Sequence, residues 1–254
     1  MISSSLRVII RILLLTLHTS FWLGVHFAAR LVVLFTPGLD RTSRAFVFRN
    51  WARGVGRIVG MRLQIRGTPP PSPFFLVSNH LSYLDVFVLA RNSGGVFVAR
   101  EDLQRWPLFG FLSSLMNTIY IDRLNRRDTL RANDAISLAL DRSENLIVFA
   151  EAYISSGQEV RPFKSALLYS AAQQGLPVYY ATLGYRTPND DPPASVVLCW
   201  AHGETFGRHV LRLLQLPHFD ASVTYGDQPL SGTDRKILAD QLCAAVRKNF
   251  VPIK

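Results

Sequence analysis

Cysteine is almost missing from this chain. Cys199 and Cys243 are the only two among 254 residues, and neither stands in a metal-ligand spacing. That leaves no basis for a disulfide framework or a cysteine-based zinc module, and both residues read as small apolar core positions in a reducing compartment. Acid is scarce as well: 18 Asp and Glu oppose 28 Lys and Arg, for a net charge of +10. Such a balance fits an anionic partner, either nucleic acid or an acidic membrane surface. Zinc-ligand spacing, a recognition-helix pattern and an aromatic-plus-Arg platform are all lacking, which argues against nucleic acid. There is no internal repeat and no low-complexity segment. At this length one domain with an appendage is expected.

Charge is absent altogether from Ile12 to Ala29, a run of 18 residues. Apolar character resumes after Arg30 as Leu31-Val32-Val33-Leu34-Phe35 and stops at Pro37-Gly38. A run of this length is near the lower limit for crossing about 30 Å of hydrocarbon. Thr16, His18, Ser20 and His26 weaken a span. The interruption at Arg30 equally suits two helices lying in one leaflet, with Arg side chains reaching up to the headgroups. A secretory leader is the remaining alternative, since Arg7 and Arg11 precede an apolar core, but no small-x-small site closes the run. Residues 1–48 are therefore expected to form an apolar, membrane-anchoring helical segment, followed by a domain over residues 49–254. The basic cluster Arg41, Arg44, Arg49, Arg53 and Arg57 outweighs Arg7 and Arg11, which sets that domain on the cytoplasmic face of the cell membrane. Acidic phospholipid headgroups are its expected electrostatic partner there.

The most informative stretch is Val77-Ser78-Asn79-His80-Leu81-Ser82-Tyr83-Leu84-Asp85. An apolar run, Phe74 to Val77, reads as a buried strand, and an imidazole and a carboxylate follow five positions apart. On one continuous helix these side chains would stand about 140° apart. The pair needs a bend between its members. A strand ending near Asn79, then a turn whose Ser82 or Asp85 caps a helix, lets Asp85 fold back onto one ring nitrogen of His80. The other nitrogen is then available to take a proton, as in a general base oriented by a third group. An isolated H-x-x-x-x-D recurs by chance and reads equally as a satisfied histidine beside a helix cap.

The rest of the chain changes that balance. Asn79, His80 and Asp85 match N-H-x-x-x-x-D, and the chain resembles the glycerolipid acyltransferases, the family that includes the 1-acylglycerol-3-phosphate acyltransferases. The likeness runs with gaps from about Asn50 to about Ala181. Arg100 and Leu103, then Pro107 and Gly110, fall where the family often reads K-x-E-L and P-x-x-G. Ile119-Tyr120-Ile121-Asp122-Arg123 looks like its second motif, a strand closing on an Arg that can fork onto a phosphate. The third motif departs from the usual F-P-E-G-T: Phe149 and Glu151 are kept, with Ala150, Ala152, Tyr153 and Ile154 around them. If the glycine position needs positive φ, Ala152 is strained there, and Ile154 offers an anion no donor. Arg161-Pro162-Phe163-Lys164 matches the family's P-F-K segment, so Arg161 and Lys164 could supply the missing cation. Pro177 matches the fourth motif.

The resemblance implies an enzyme that moves a fatty acyl group from a thioester, acyl-CoA or acyl carrier protein, to the free hydroxyl of a lysolipid. The implied acceptor is 1-acylglycerol-3-phosphate, giving phosphatidic acid. His80 is then the base and Asp85 its orienter, with Asn79, Arg123, Glu151, Arg161 and Lys164 at the substrate. A thioester is already activated, so neither a covalent acyl-enzyme nor a metal or further cofactor is expected. The altered third motif keeps two alternatives open: a phosphate-free acceptor such as lyso-ornithine lipid, or a lipid-binding relative that has lost turnover.

Strands are expected at Leu63–Arg66, Phe74–Val77, Val96–Ala99, Ile119–Arg123, Leu146–Phe149, Pro177–Ala181, Val196–Trp200 and Ser222–Tyr225. Helices are expected over 85–91, 128–143 with Ile136, Leu138 and Leu140 facing the core, 164–174 and 206–214, and after a Thr233 cap. The fold class is α/β: a single domain with a mixed, mostly parallel sheet of about seven strands flanked by helices, preceded by the N-terminal membrane-associating helical segment.

Overall fold

The computed structural model describes residues 3–122, 126–190, 192–201 and 203–254. Ser3 caps the first helix, α1 (Ser4–Phe35), by accepting from Leu6 N–H. This helix runs unbroken through Arg30, which corrects the expected interruption there. A charge on the outer face does not disturb the backbone ladder, and Arg30 instead pairs with Asp40. The break comes at Pro37, which opens a short 3₁₀ turn (Pro37–Leu39). Next, α2 (Asp40–Ile58) folds back along α1 and sends Val47, Phe48, Ala52 and Val55 into the core.

Seven strands follow in one sheet: β1 (Met61–Arg66), β2 (Phe75–Ser78), β3 (Val96–Arg100), β4 (Ile119–Ile121), β5 (Leu146–Phe149), β6 (Val178–Arg186) and β7 (Phe219–Tyr225). Their order is β1-β7-β6-β2-β5-β3-β4, and all neighbours are parallel except β6 and β7. Strands β2 and β5 are buried at every position. Their unbroken apolar runs, Phe75-Leu76-Val77 and Leu146-Ile147-Val148-Phe149, suit strands covered on both faces.

The helices that cover the sheet are α3 (Leu84–Ser93), α4 (Pro107–Leu115), α5 (Arg126–Asp141), α6 (Tyr169–Gln173), α7 (Ala194–Val197), α8 (Phe206–Gln215) and α9 (Arg235–Lys248). One core cluster gathers residues of α2, α3, α7 and α8, the other residues of α5, α6 and α9.

Four local expectations are corrected. Val196 belongs to the helical turn α7, not to a strand. A short apolar run does not by itself distinguish strand from buried helix; here Pro193 opens the turn, and β6 is already paired on both sides. In α5, Ile136 is buried but Leu138 is exposed, because residues two apart lie about 200° apart on a helix; Ala132, Ile136 and Ala139 form the inner face. That helix begins at Arg126, two residues before the expected start at Asp128. The last helix is capped by Asp234, not Thr233, whose carboxylate accepts from Lys236 N–H and Ile237 N–H.

Candidate active site

Strand β2 ends at Ser78 in the middle of the sheet, flanked by β5 and β6. Asn79, the next residue, is wholly buried, and its side chain extends the strand pairing by one step. Its Nδ2 donates to Leu183 O at 3.0 Å, and its Oδ1 accepts from Leu183 N–H at 2.8 Å. Both ends of the amide are thus taken by the β6 backbone. In this way Asn79 ties β2 to β6 and fixes where His80 leaves the sheet.

The chain then turns through Leu81 and Ser82 into α3. Asp85 stands in the first turn of that helix and is completely buried. It reaches back into the turn, where its Oδ2 accepts from Leu81 N–H at 2.7 Å, Ser82 N–H at 3.0 Å and His80 Nδ1–H at 2.8 Å. Its other oxygen accepts the Tyr185 hydroxyl at 2.6 Å. No side chain caps α3, so Asp85 organises the preceding turn instead of capping the helix. The expected bend between His80 and Asp85 is present.

The His80 ring lies flat on Phe149, with centroids 4.0 Å apart and planes 9° apart. With Nδ1 bound to Asp85 and one ring face on Phe149, the imidazole has one orientation and its Nδ1–H tautomer is set. No described residue bonds to Nε2, so that nitrogen is available as a proton acceptor.

Glu151 follows β5 and is 1% exposed. Its Oε1 accepts from His80 N–H at 2.9 Å and its Oε2 from Arg161 N–H at 3.0 Å. Burial pushes its pKa up from 4.5 to about 7, against the two backbone donors, which pull it down. Ser155 N–H donates to His80 O at 2.8 Å, and Lys164 N–H to Ala150 O at 2.8 Å. The 150–164 segment is therefore a bracket around the His80 backbone. Within it, Ala152 has φ +69°, the strained conformation expected for a glycine position.

Arg161 and Lys164 meet the bracket through their backbones, and both residues are exposed at the surface. Arg123 lies outside the described residues. Next to the bracket, Tyr153 lines a polar cleft of about 410 Å³ with Arg100, Glu101, Asp102, Arg105 and Asp122. Arg100 is held by Asp102 through two bonds, 3.0 Å and 2.7 Å. On the other side of the motif, Tyr83 lines an apolar cavity of about 130 Å³ with Trp51, Phe87, Ala99, Phe109 and Trp200 among others. Sequence reasoning had no signal for Tyr185, which lies 100 residues from Asp85, or for the aromatic lining, whose members come from five separate segments.

Residues 62–183, which contain the His80–Asp85 pair and Glu151, match the acyltransferase family model. Over that stretch the chain is similar to the acyltransferase family. Among curated relatives, this chain is 34% identical to a 1-acyl-sn-glycerol-3-phosphate acyltransferase of Neisseria meningitidis, over 53% of this chain and 56% of that protein. It thus spans little more than half of that relative's length. It is 28% identical to a lyso-ornithine lipid O-acyltransferase of Brucella abortus, over 77% of this chain and 78% of that protein. A crystal structure of the LPA acyltransferase PlsC from Thermotoga maritima superposes with a TM-score of 0.60 over 95% of this chain and 97% of that one. Identity there is 20%, so the likeness is one of fold. The expected α/β class, with its mixed seven-stranded sheet and N-terminal apolar helix, is the fold of this protein.

Proposed function

We propose that this protein is an acyltransferase that moves a fatty acyl group from a thioester, acyl-CoA or acyl carrier protein, to the free hydroxyl of a membrane lysolipid. The leading acceptor is 1-acylglycerol-3-phosphate, with phosphatidic acid as product. The observation that carries the reading is His80, oriented by the buried Asp85 carboxylate and with no described residue bonded to its Nε2. His80 Nε2 takes the proton of the acceptor hydroxyl as that oxygen attacks the thioester carbonyl. Collapse of the tetrahedral adduct breaks the C–S bond, and the imidazolium returns its proton to the leaving thiolate. No acyl-enzyme forms, because the thioester is activated already. The apolar cavity beside Tyr83 suits the acyl chain, and the cleft with Arg100 and Arg105 suits the headgroup.

The N-terminal helix supports residence in one leaflet. Arg11 donates to Leu214 O at 3.0 Å, Leu216 O at 2.5 Å and Pro217 O at 2.9 Å, at the end of α8. Further along, His18 bonds to Trp51 O at 3.0 Å and Trp51 to Thr19 at 3.2 Å. Docked along this face, α1 exposes Ile9, Leu13, Leu17, Phe21, Leu31 and Phe35 on the other. A helix that left the body to span a bilayer would forfeit those bonds, whereas one lying in-plane keeps them and buries its apolar face in lipid. The basic residues of α2 favour the cytoplasmic side.

A phosphate-free acceptor of the lyso-ornithine type is the second reading. It is favoured by the cleft, where Arg100 is already paired with Asp102 beside Glu101 and Asp122, and by the lyso-ornithine relative that aligns over most of both chains. The deciding experiment assays purified, detergent-solubilised protein with a thioester donor against lysophosphatidate and lyso-ornithine lipid, beside His80→Ala. His80-dependent transfer to lysophosphatidate supports the leading reading, and transfer to lyso-ornithine lipid alone supports the second. No His80-dependent transfer to either refutes both and leaves a lipid-binding protein.

A further inference from the structure

Tyr185 belongs to no motif, yet it is the most remote residue bonded to the reacting pair. It lies in β6, is 6% exposed, and crosses the core to donate its hydroxyl to Asp85 Oδ1 at 2.6 Å. The other three donors to this carboxylate, His80 Nδ1–H, Leu81 N–H and Ser82 N–H, all converge on Oδ2. A turn about the Cβ–Cγ bond would move both oxygens, so the three bonds on Oδ2 and the Tyr185 bond on Oδ1 together oppose it. Tyr185 is the donor that holds the second oxygen.

We infer that Tyr185 is a positioning residue for acyl transfer, locking the Asp85 carboxylate in the plane that aligns His80 Nδ1 and so aims Nε2 at the acceptor hydroxyl. This rests on His80 being the base. The phenol stays a donor throughout the working range, because burial and the adjacent Asp85 push its pKa well above the ordinary value. The titratable groups around the pair are Asp85, Cys199 and Tyr83 facing Tyr185, with Glu151 near Asp85. Burial holds the Cys199 thiol up at about 12 and the Tyr83 phenol well above its ordinary value, so neither changes charge in an assay between pH 5 and 9. Glu151 does titrate in that range and is common to both proteins compared.

The test is Tyr185→Phe in the full, detergent-solubilised chain. The inference expects kcat to fall about tenfold, a size typical when an outer partner of a working histidine is removed, while KM for donor and acceptor stays put. With one donor fewer, the Asp85 carboxylate becomes a stronger partner for the imidazolium. The acid limb of the pH–rate profile then moves to higher pH, and the His80 Nδ1–H proton resonance moves downfield. Unchanged kcat, a loss carried by KM, or a lower kcat with both limb and resonance unmoved overturns the inference. If the phenylalanine variant does not fold, 3-fluorotyrosine at position 185 keeps the shape and strengthens the donor. The limb and resonance must then move the opposite way, and their failure to do so overturns the inference equally. Activity retained by His80→Ala would sink the proposed base, whereas the proton resonance reports on Tyr185 without any turnover.

Discussion

Glu151 makes a quantitative test of how this site is held. In the unfolded chain its carboxyl titrates near 4.5; in the folded protein burial raises that to about 7. The folded state therefore binds the proton more tightly than the unfolded state does. Stability from this group is fully present below pH 4.5 and is lost as pH rises through 7. The two values differ by 7 − 4.5 = 2.5 pH units, and at 1.36 kcal/mol per unit the loss is about 3 kcal/mol. Glu151→Gln removes the titration but keeps a carbonyl oxygen for one of the two backbone donors. Urea unfolding of both proteins between pH 4 and 8 gives the comparison. The stability of the wild type minus that of the variant should fall with pH by about 3 kcal/mol. A difference that is flat, or that rises with pH, would refute the reasoning, because the donors at His80 and Arg161 would then outweigh burial.

Three further outcomes follow from the same geometry. Ala152→Gly should raise unfolding stability by about 1 kcal/mol, since φ +69° is unfavourable for any residue with a Cβ; lower stability by chemical denaturation would show that its buried methyl matters more than the strain. Arg11→Met leaves three carbonyls at the end of α8 without their donor, at a cost of about 3 kcal/mol. The variant should release α1 to limited proteolysis, and an unchanged digestion pattern counts against its docked position. Ala99→Leu adds volume to the wall of the apolar cavity. It should lower the rate with long-chain thioesters about tenfold while sparing short ones, roughly what losing burial of one or two methylenes allows. Equal loss across chain lengths in a competition assay would place the acyl chain elsewhere.

Much of this molecule was decided by local sequence. The central strands β2 and β5 are legible because parallel strands buried on both faces need runs such as Leu146-Ile147-Val148-Phe149. The bend between His80 and Asp85 follows from helix geometry alone, since five residues on one helix cannot converge. Even the strain at Ala152 could be anticipated, because an alanine replaces the residue that tolerates positive φ. Tertiary structure decided the rest, through contacts between residues far apart in the chain. That Leu183 takes both ends of the Asn79 amide is not written in the residues around Asn79. Nor does the sequence around Glu151 show that its two oxygens meet the backbone of His80 and Arg161. Val196 reads as a strand until both sides of β6 are seen to be taken, and Tyr185 carries no pattern at all. Periodicity and spacing constrain a residue's neighbours within a few turns of chain. Which distant backbone or side chain consumes its remaining hydrogen bonds is set only when the sheet closes, and that separates a residue that meets substrate from one that holds the site in place.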